Sequence, residues 1–148
     1  MLLDANLLLY ATDDISPDHQ AASGWLSSAL NGDRRVGIAW QTIGAFLRIA
    51  THPRVTRNPL TGAKAWAIAR NWLTADPVWI PPATDRTARV YGTLTDQVSI
   101  TANLVPDAQL AALAIEHGLT LYSADSDFAR FPALSWVNPL RPEASRGR

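Results

Sequence analysis

The 148-residue sequence contains no cysteine, a single lysine and only two glutamates, Glu116 and Glu143. Without cysteine there is no disulfide framework, no thiolate zinc site and no cysteine nucleophile. No apolar run reaches the length needed to cross a bilayer, and the N-terminus lacks the basic region of a signal peptide, so a cytoplasmic protein without membrane association is expected. Acid is missing from one long stretch: between Asp33 and Asp76 there is none, while Arg34, Arg35, Arg48, Arg54, Arg57, Lys64 and Arg70 all fall there. The formal net charge is zero, so the imbalance lies in the distribution. Such cations either coat solvated helix faces or follow a phosphate backbone, whose oxygens suit the bidentate guanidinium.

What is present is a globular composition. A hydrophobic fraction of 47% and a charged fraction of 18% suit one domain with its own core. Short apolar runs at Met1–Leu3, Val36–Ala39, Val78–Ile80, Leu119–Ser123 and Leu134–Val137 read as buried strands. Between them, helical periodicity predicts helices from Ala5, over Pro17–Leu30 with Ser16 as cap, from Trp40 to the stop at Pro53, over Thr61–Leu73, over Thr84–Val98 and over Leu104–His117. Ala21, Ala22, Trp25, Leu26 and Ala29 form the expected inner face of the second helix. Trp66 and Trp72 are expected to pack in a core or against a second protomer. Alternating strands and helices with few hairpin signals predict an α/β fold, three layers deep, with a central parallel sheet of four to five strands.

In such a sheet the carboxyl ends of the strands share one edge, where ligands bind. Asp4 follows the first strand, Asp107 lies in the first turn of a helix, and Asp125 follows the Leu119–Ser123 strand, so these acids can meet. An N-cap would account for Asp4 without any chemistry, the helix dipole for Asp107, and a turn or cap for Asp125. Asp127 could be a further ligand, but capping the short following helix is the favoured reading. Clustered carboxylates repel one another, and a divalent cation removes that cost; an all-oxygen donor set suits Mg²⁺ or Mn²⁺ and not zinc. His19 on an exposed helix face, His52 at a helix end and His117 beside Gly118 need no catalytic role. A phospho-aspartate site at Asp4 fits poorly, because the one lysine, Lys64, lies on a helix away from any strand end.

Four segments carry a resemblance. Leu3-Asp4-Ala5-Asn6-Leu7-Leu8-Leu9-Tyr10-Ala11, then Phe46-Leu47-Arg48-Ile49-Ala50-Thr51-His52-Pro53-Arg54-Val55, then Asn103-Leu104-Val105-Pro106-Asp107-Ala108-Gln109-Leu110-Ala111-Ala112-Leu113-Ala114 and finally Ser123-Ala124-Asp125-Ser126-Asp127-Phe128 stand in the order and spacing of one family. They resemble the motifs of PIN-domain ribonucleases, in particular VapC-type toxins of toxin–antitoxin pairs. The resemblance covers about residues 1–140, leaving 141–148 as a polar, disordered tail.

It implies a metal-dependent endoribonuclease with Asp4, Asp107 and Asp125 as catalytic and metal-binding carboxylates, supported by Asn6 and Ser123, and with Mg²⁺ or Mn²⁺ as cofactor. It also implies an RNA substrate, a cognate VapB-type antitoxin covering the active-site groove, and a homodimer. Arg54 and Arg57, in a loop without an evident packing role, become the first candidates for RNA phosphate contact. One departure stands out: where the family usually carries a glutamate, this chain has Ala45. Gln41 offers only a neutral oxygen, and Asp96 is a speculative substitute. A non-catalytic binding module with a weakened metal site is therefore the alternative.

Overall fold

The computed structural model describes residues 1–141, so all of the expected tail except Arg141 lies outside the described residues. Arg141 itself is 3.7 Å from the Asp18 carboxylate. The strands are β1 (Leu2–Leu3), β2 (Val36–Gly37), β3 (Val78–Trp79), β4 (Leu121–Tyr122) and β5 (Trp136–Val137). They form one sheet in the order β3-β2-β1-β4-β5, every pair parallel. Six α-helices join them: α1 (Ala5–Thr12), α2 (His19–Leu30), α3 (Trp40–Ala50), α4 (Gly62–Leu73), α5 (Asp85–Gln97) and α6 (Leu104–Glu116), with a short 3-10 helix at Ser126–Arg130.

Alternation along the strands sorts side chains to two cores, because successive residues of a strand point to opposite faces. Leu2 and Leu121 join Leu94 of α5 and the buried Ala108, Ala111 and Leu113 of α6. Leu3, Val36 and Ile38 join Leu8, Leu26, Ile43, Phe46, Ala65 and Trp72 from the first four helices. The sheet is thus sandwiched between α1–α4 on one face and α5–α6 on the other. Trp72 packs edge-on against Phe46, whereas Trp66 stays exposed and meets the equally exposed Trp40.

Gly37 faces the α5–α6 side, where there is no room for a side chain. A Cβ there would lie 2.9 Å from Pro81 Cγ, and 3.2 Å from both Leu2 Cδ1 and the Met1 carbonyl oxygen. Helix ends follow local chemistry as well. Thr61 Oγ1 accepts from the Lys64 N–H at the start of α4, and Thr84 forms a capping box with Thr87 on α5. Both threonine hydroxyls also donate to the Glu116 carboxylate, tying α5 to the end of α6. Gly118 takes φ +64 as α6 ends.

Some boundaries differ from the sequence reading. The second helix begins at His19 and not at Pro17, because Ser16 Oγ accepts from the Asp18 N–H and holds a turn ahead of it. Ala21 is exposed, so the inner face of α2 is carried by Ala22 and Leu26 with Trp25 and Ala29 partly covered. His19 is half-buried, and its Nδ1–H donates to the Tyr10 carbonyl at 2.9 Å, joining α2 to α1.

The strand order also positions the crevice. From β1 the chain builds outward through β2 to β3 with helices on one face, then returns to set β4 on the other side of β1, behind α5 and α6. The direction of winding reverses between β1 and β4, and at such a switch point the loops leaving neighbouring strands part to open a crevice. Asp4 leaves β1, and Ser123 and Asp125 leave β4, at that point.

The glycine at the sheet centre gives a direct test. Gly37→Ala is expected to destabilise the protein by about 1–3 kcal/mol through overpacking against Pro81 and Leu2. Urea denaturation reads this as a lower midpoint; an unchanged midpoint would mean that Pro81 yields freely.

Candidate active site

Asp4 ends β1 and caps α1: its Oδ1 accepts from the Ala5 N–H at 2.7 Å. The capping and site readings therefore describe different oxygens of one carboxylate, since Oδ2 accepts from the Ser123 hydroxyl at 2.7 Å. Ser123 is fully buried and acts as the hub. Its Oγ also accepts from Asn6 Nδ2 and from the Asp125 N–H, each at 3.0 Å. Asn6 completes the bridge by accepting from the Ala124 N–H at 3.3 Å, and the Trp136 indole N–H donates to the Ser123 carbonyl at 3.0 Å. The turns after β1 and β4 are thus locked together through side chains more than a hundred residues apart in sequence.

Asp107, in the first turn of α6, comes to the same place with Asp125 and Asp127. Each offers a carboxylate oxygen, and the three lie within 4.8 Å of one another. Asp4 stands beside this trio, close enough to contribute to the raised pKa of Asp107. Asp127 was read from sequence as the cap of the short helix. Asp125 takes that part instead, its Oδ1 accepting from the Asp127 N–H at 2.9 Å, which leaves the Asp127 carboxylate to the cluster. The signal that could have revealed it was the pair of acids two residues apart just past a strand.

Electrostatics follow from this crowding. Burial pushes the Asp4 carboxyl above its ordinary range, against the two hydrogen bonds that favour its ionised form. Asp107 is pushed up from 3.8 to about 6, first by burial and then by the charges of Asp4, Asp125 and Asp127. Among the described residues no arginine or lysine lies within ion-pair distance of any of the four. Close-set carboxylates with free oxygens and no nitrogen or sulfur donor fit a hard divalent cation such as Mg²⁺ or Mn²⁺. Asp107, Asp125 and Asp127 open onto a cavity of about 550 Å³ that is also lined by Ser99, Thr101, Asn103 and Arg130.

Other residues raised by the sequence fall elsewhere. Ala45 is partly covered within α3, Gln41 is exposed near the start of that helix, and Asp96 is exposed on α5; none belongs to the acid cluster. Arg54 and Arg57 are exposed. Arg57 lines a separate cavity with Leu9, Tyr10 and Thr12, at the far end of an eight-residue helix from Asp4. That separation is about 12 Å along α1.

This sheet order, with acids gathered at the β1/β4 switch point, defines a PIN-like α/β/α domain. Accordingly, a family model described as PIN domain matches residues 1–134, and the chain belongs to the PIN-domain family, among its VapC-type members. It is 41% identical over 138 residues to Ribonuclease VapC33 of Mycobacterium tuberculosis, covering 93% of this chain and 96% of that relative. Identity and coverage are the same for Ribonuclease VapC37 of that organism. Among solved structures, VapBC2 from Rickettsia felis bound to a promoter DNA fragment matches with a TM-score of 0.65 at 18% identity, covering 93% of this chain and 96% of that one. Mycobacterium tuberculosis VapC20, a sarcin-ricin loop cleaving toxin, matches with a TM-score of 0.60 at 18% identity, covering 86% and 92%.

Two measurements probe the site without any substrate. Ser123→Ala leaves Asp4, Asn6 and the Asp125 N–H without their shared partner, and is expected to cost about 2–4 kcal/mol in denaturant unfolding. An effect below 0.5 kcal/mol, within the usual scatter for surface substitutions, would deny Ser123 its role as hub. The second concerns pH. Because the folded protein holds the Asp107 proton more tightly than the unfolded chain does, this group's contribution to stability falls as pH rises from 3.8 to about 6 and stays unfavourable above. In metal-free buffer Asp107→Asn should therefore raise the melting temperature at pH 7.5, with the gain shrinking toward pH 4; a variant no more stable than the parent at pH 7.5 contradicts the assignment.

Proposed function

We propose that this chain is a Mg²⁺- or Mn²⁺-dependent endoribonuclease, the toxin of a VapBC-type pair, with Asp4, Asp107 and Asp125 as its catalytic and metal-binding carboxylates. The observation that carries the reading is the gathering of acids from β1, α6 and the β4 turn at one sheet edge, in a chain 41% identical to Ribonuclease VapC33. Asp127 is added as a fourth carboxylate. It answers the loss at Ala45, which had motivated the non-catalytic alternative, better than Gln41 or Asp96 could.

Each residue has a definable task. Asp4, Asp107 and Asp125 would hold the cation, with Asp127 as a further carboxylate beside them. Ser123 and Asn6 are positioning residues: they fix the Asp4 carboxylate against the Asp125 turn, so the negative charges keep their places when substrate enters. When bound, the cation supplies Lewis acidity toward a water nucleophile and offsets charge on the phosphate under attack. The Asp107 carboxylate accepts no hydrogen bond among the described residues, which leaves an oxygen free to take the proton released as the water attacks phosphorus and the bond to the leaving oxygen breaks.

A VapB-type antitoxin partner is supported by the VapBC2 likeness, and a homodimer is the assembly expected for this class. Residues 1–140 would form the PIN domain, with 141–148 as a tail. Arg54 and Arg57 remain candidates for RNA phosphate contact, and a phosphate met by Arg57 would lie away from the scissile one. Among the described residues no helix is long and apolar enough to cross a membrane, which suits a protein acting on RNA in the cytoplasm.

Asp107→Asn tests the reading with little risk to the fold, since it removes repulsion and leaves no hydrogen-bond donor unpaired among the described residues. Cleavage of total RNA in Mg²⁺ is expected to fall at least about 100-fold, the order lost when a principal electrostatic group is removed. In parallel, millimolar Mn²⁺ should raise the melting temperature of the parent but not of the variant. Full cleavage by Asp107→Asn, or RNA left intact by the parent protein in both metals, would end the assignment.

A further inference from the structure

The cavity that holds the acids carries a second set of side chains that the chemistry above does not use. Arg130, Ser99, Thr101 and Asn103 line it together with Asp107, Asp125 and Asp127. Arg130 comes from the last turn of the 3-10 helix and is exposed, yet its guanidinium is not within 4.0 Å of any carboxylate among the described residues. Asn103 stands at the N-cap position of α6 but makes no side-chain capping bond. The Ser99 and Thr101 hydroxyls have no protein partner among the described residues either.

The loop that presents them is held in an uncommon shape. Ala102 takes φ +49, a left-handed conformation that alanine seldom adopts. Two overlapping turns that include it hold it, the Leu104 N–H donating to the Thr101 carbonyl and the Val105 N–H to the Ala102 carbonyl, each at 3.1 Å. The result is a cleft in which carboxylates share the walls with one guanidinium, two hydroxyls and an amide, all of them uncommitted.

We propose that Arg130, backed by Ser99, Thr101 and Asn103, forms a phosphate-binding subsite that holds the non-bridging oxygens of an RNA phosphodiester beside the acids. The inference rests on the ribonuclease reading and names the part of the site that meets the substrate anion. A phosphodiester approaching four carboxylates is repelled, and a cation between them offsets only part of that repulsion. A planar guanidinium supplies paired donors matched to two phosphate oxygens, and the hydroxyls and amide add neutral donors at no cost in repulsion. Arg57 cannot do this, since it stands at the other end of α1, and Arg54 does not line this cavity. Lys64, the one lysine, is on α4 and does not line this cavity.

The test uses the intact chain and two readouts. In the otherwise unaltered protein, Arg130→Ala should lower kcat/KM on a short RNA about 100-fold without changing the melting temperature. Arg130→Lys, which keeps the charge but loses the paired donors, should recover about tenfold of that loss. For binding, fluorescence anisotropy of the same RNA is followed across a salt series in the Asp107→Asn background, where cleavage is suppressed. There Arg130→Ala should reduce the slope of log Kd against log salt by about 0.7, the value for one phosphate contact on a single strand. If the parent cuts RNA while Arg130→Ala cuts within threefold of it and keeps the full salt slope, the subsite is overturned and the nuclease reading stands. If the parent cuts no RNA, both fall together.

Discussion

Repulsion between aspartates held at one sheet edge is the constraint around which this molecule is arranged. Three carboxylate oxygens lie within 4.8 Å of one another with no cation paired to them among the described residues, and a fourth carboxylate adds its charge from β1. Left mobile, such side chains would swing apart into water. They are held because two of the four are tethered: Asp4 to the Ala5 N–H and the Ser123 hydroxyl, and Asp125 to the Asp127 N–H. Ser123 carries much of this alone, since one buried hydroxyl donates to one acid while accepting from the backbone of another and from Asn6. Burial first, and then the neighbouring charges, raise Asp107 to about 6, so the protein gives up stability near neutral pH to keep a site of concentrated negative charge.

The rest of the fold can be understood as what brings those residues to one place. A parallel sheet aligns the carboxyl ends of its strands, but a crevice opens only where the direction of winding changes, and here that is between β1 and β4. Leu2 and Leu121 anchor the two strands to one core, Leu3 and Tyr122 to the other, so a slip of one residue would turn Asp4 or Ser123 away from the crevice. Gly37 belongs to the same logic. Its missing side chain lets Pro81 and Leu2 close over the centre of the sheet, which keeps β1 seated.

The strands and helices were readable because their periods are clean, and Asp4 stood out because an acid directly ends an apolar run. Asp107 and Asp125 followed from the motif order, helped by their places at a helix start and a strand end. Asp127 was not readable in the same way. In Asp125-Ser126-Asp127 either acid could cap the next helix, and the choice depends on which backbone N–H points at which carboxylate. Sequence distance likewise concealed the Ser123 hub, whose contacts to Asp4 and Asn6 span 119 and 117 residues. The resemblance placed Ser123 and Asn6 in supporting positions; the bonds between them depend on the β1/β4 register. Arg130 gave no signal at all, because a lone arginine in a polar turn becomes notable only when the cavity beside it is found to hold three acids.

The basic stretch between Asp33 and Asp76 divides once the fold is known. Arg35 lies over the Trp79 ring at 4.2 Å and Arg34 donates to the Tyr122 hydroxyl, so two of its seven cations are engaged in structure. The other five, Arg48, Arg54, Arg57, Lys64 and Arg70, are exposed and have no acidic partner among the described residues. A chain with zero net charge thus sets a cluster of four acids at the β1/β4 edge apart from exposed cations on α3, α4 and the loop between them. A polyanion meets opposite forces from those two regions. Attraction to α3 and α4 would come first and at longer range, while entry among the acids needs both a cation and a local donor such as Arg130. On the proposed ribonuclease reading, separation of this kind would let the surface capture a nucleic acid loosely while the crevice admits a phosphate held in the cutting geometry.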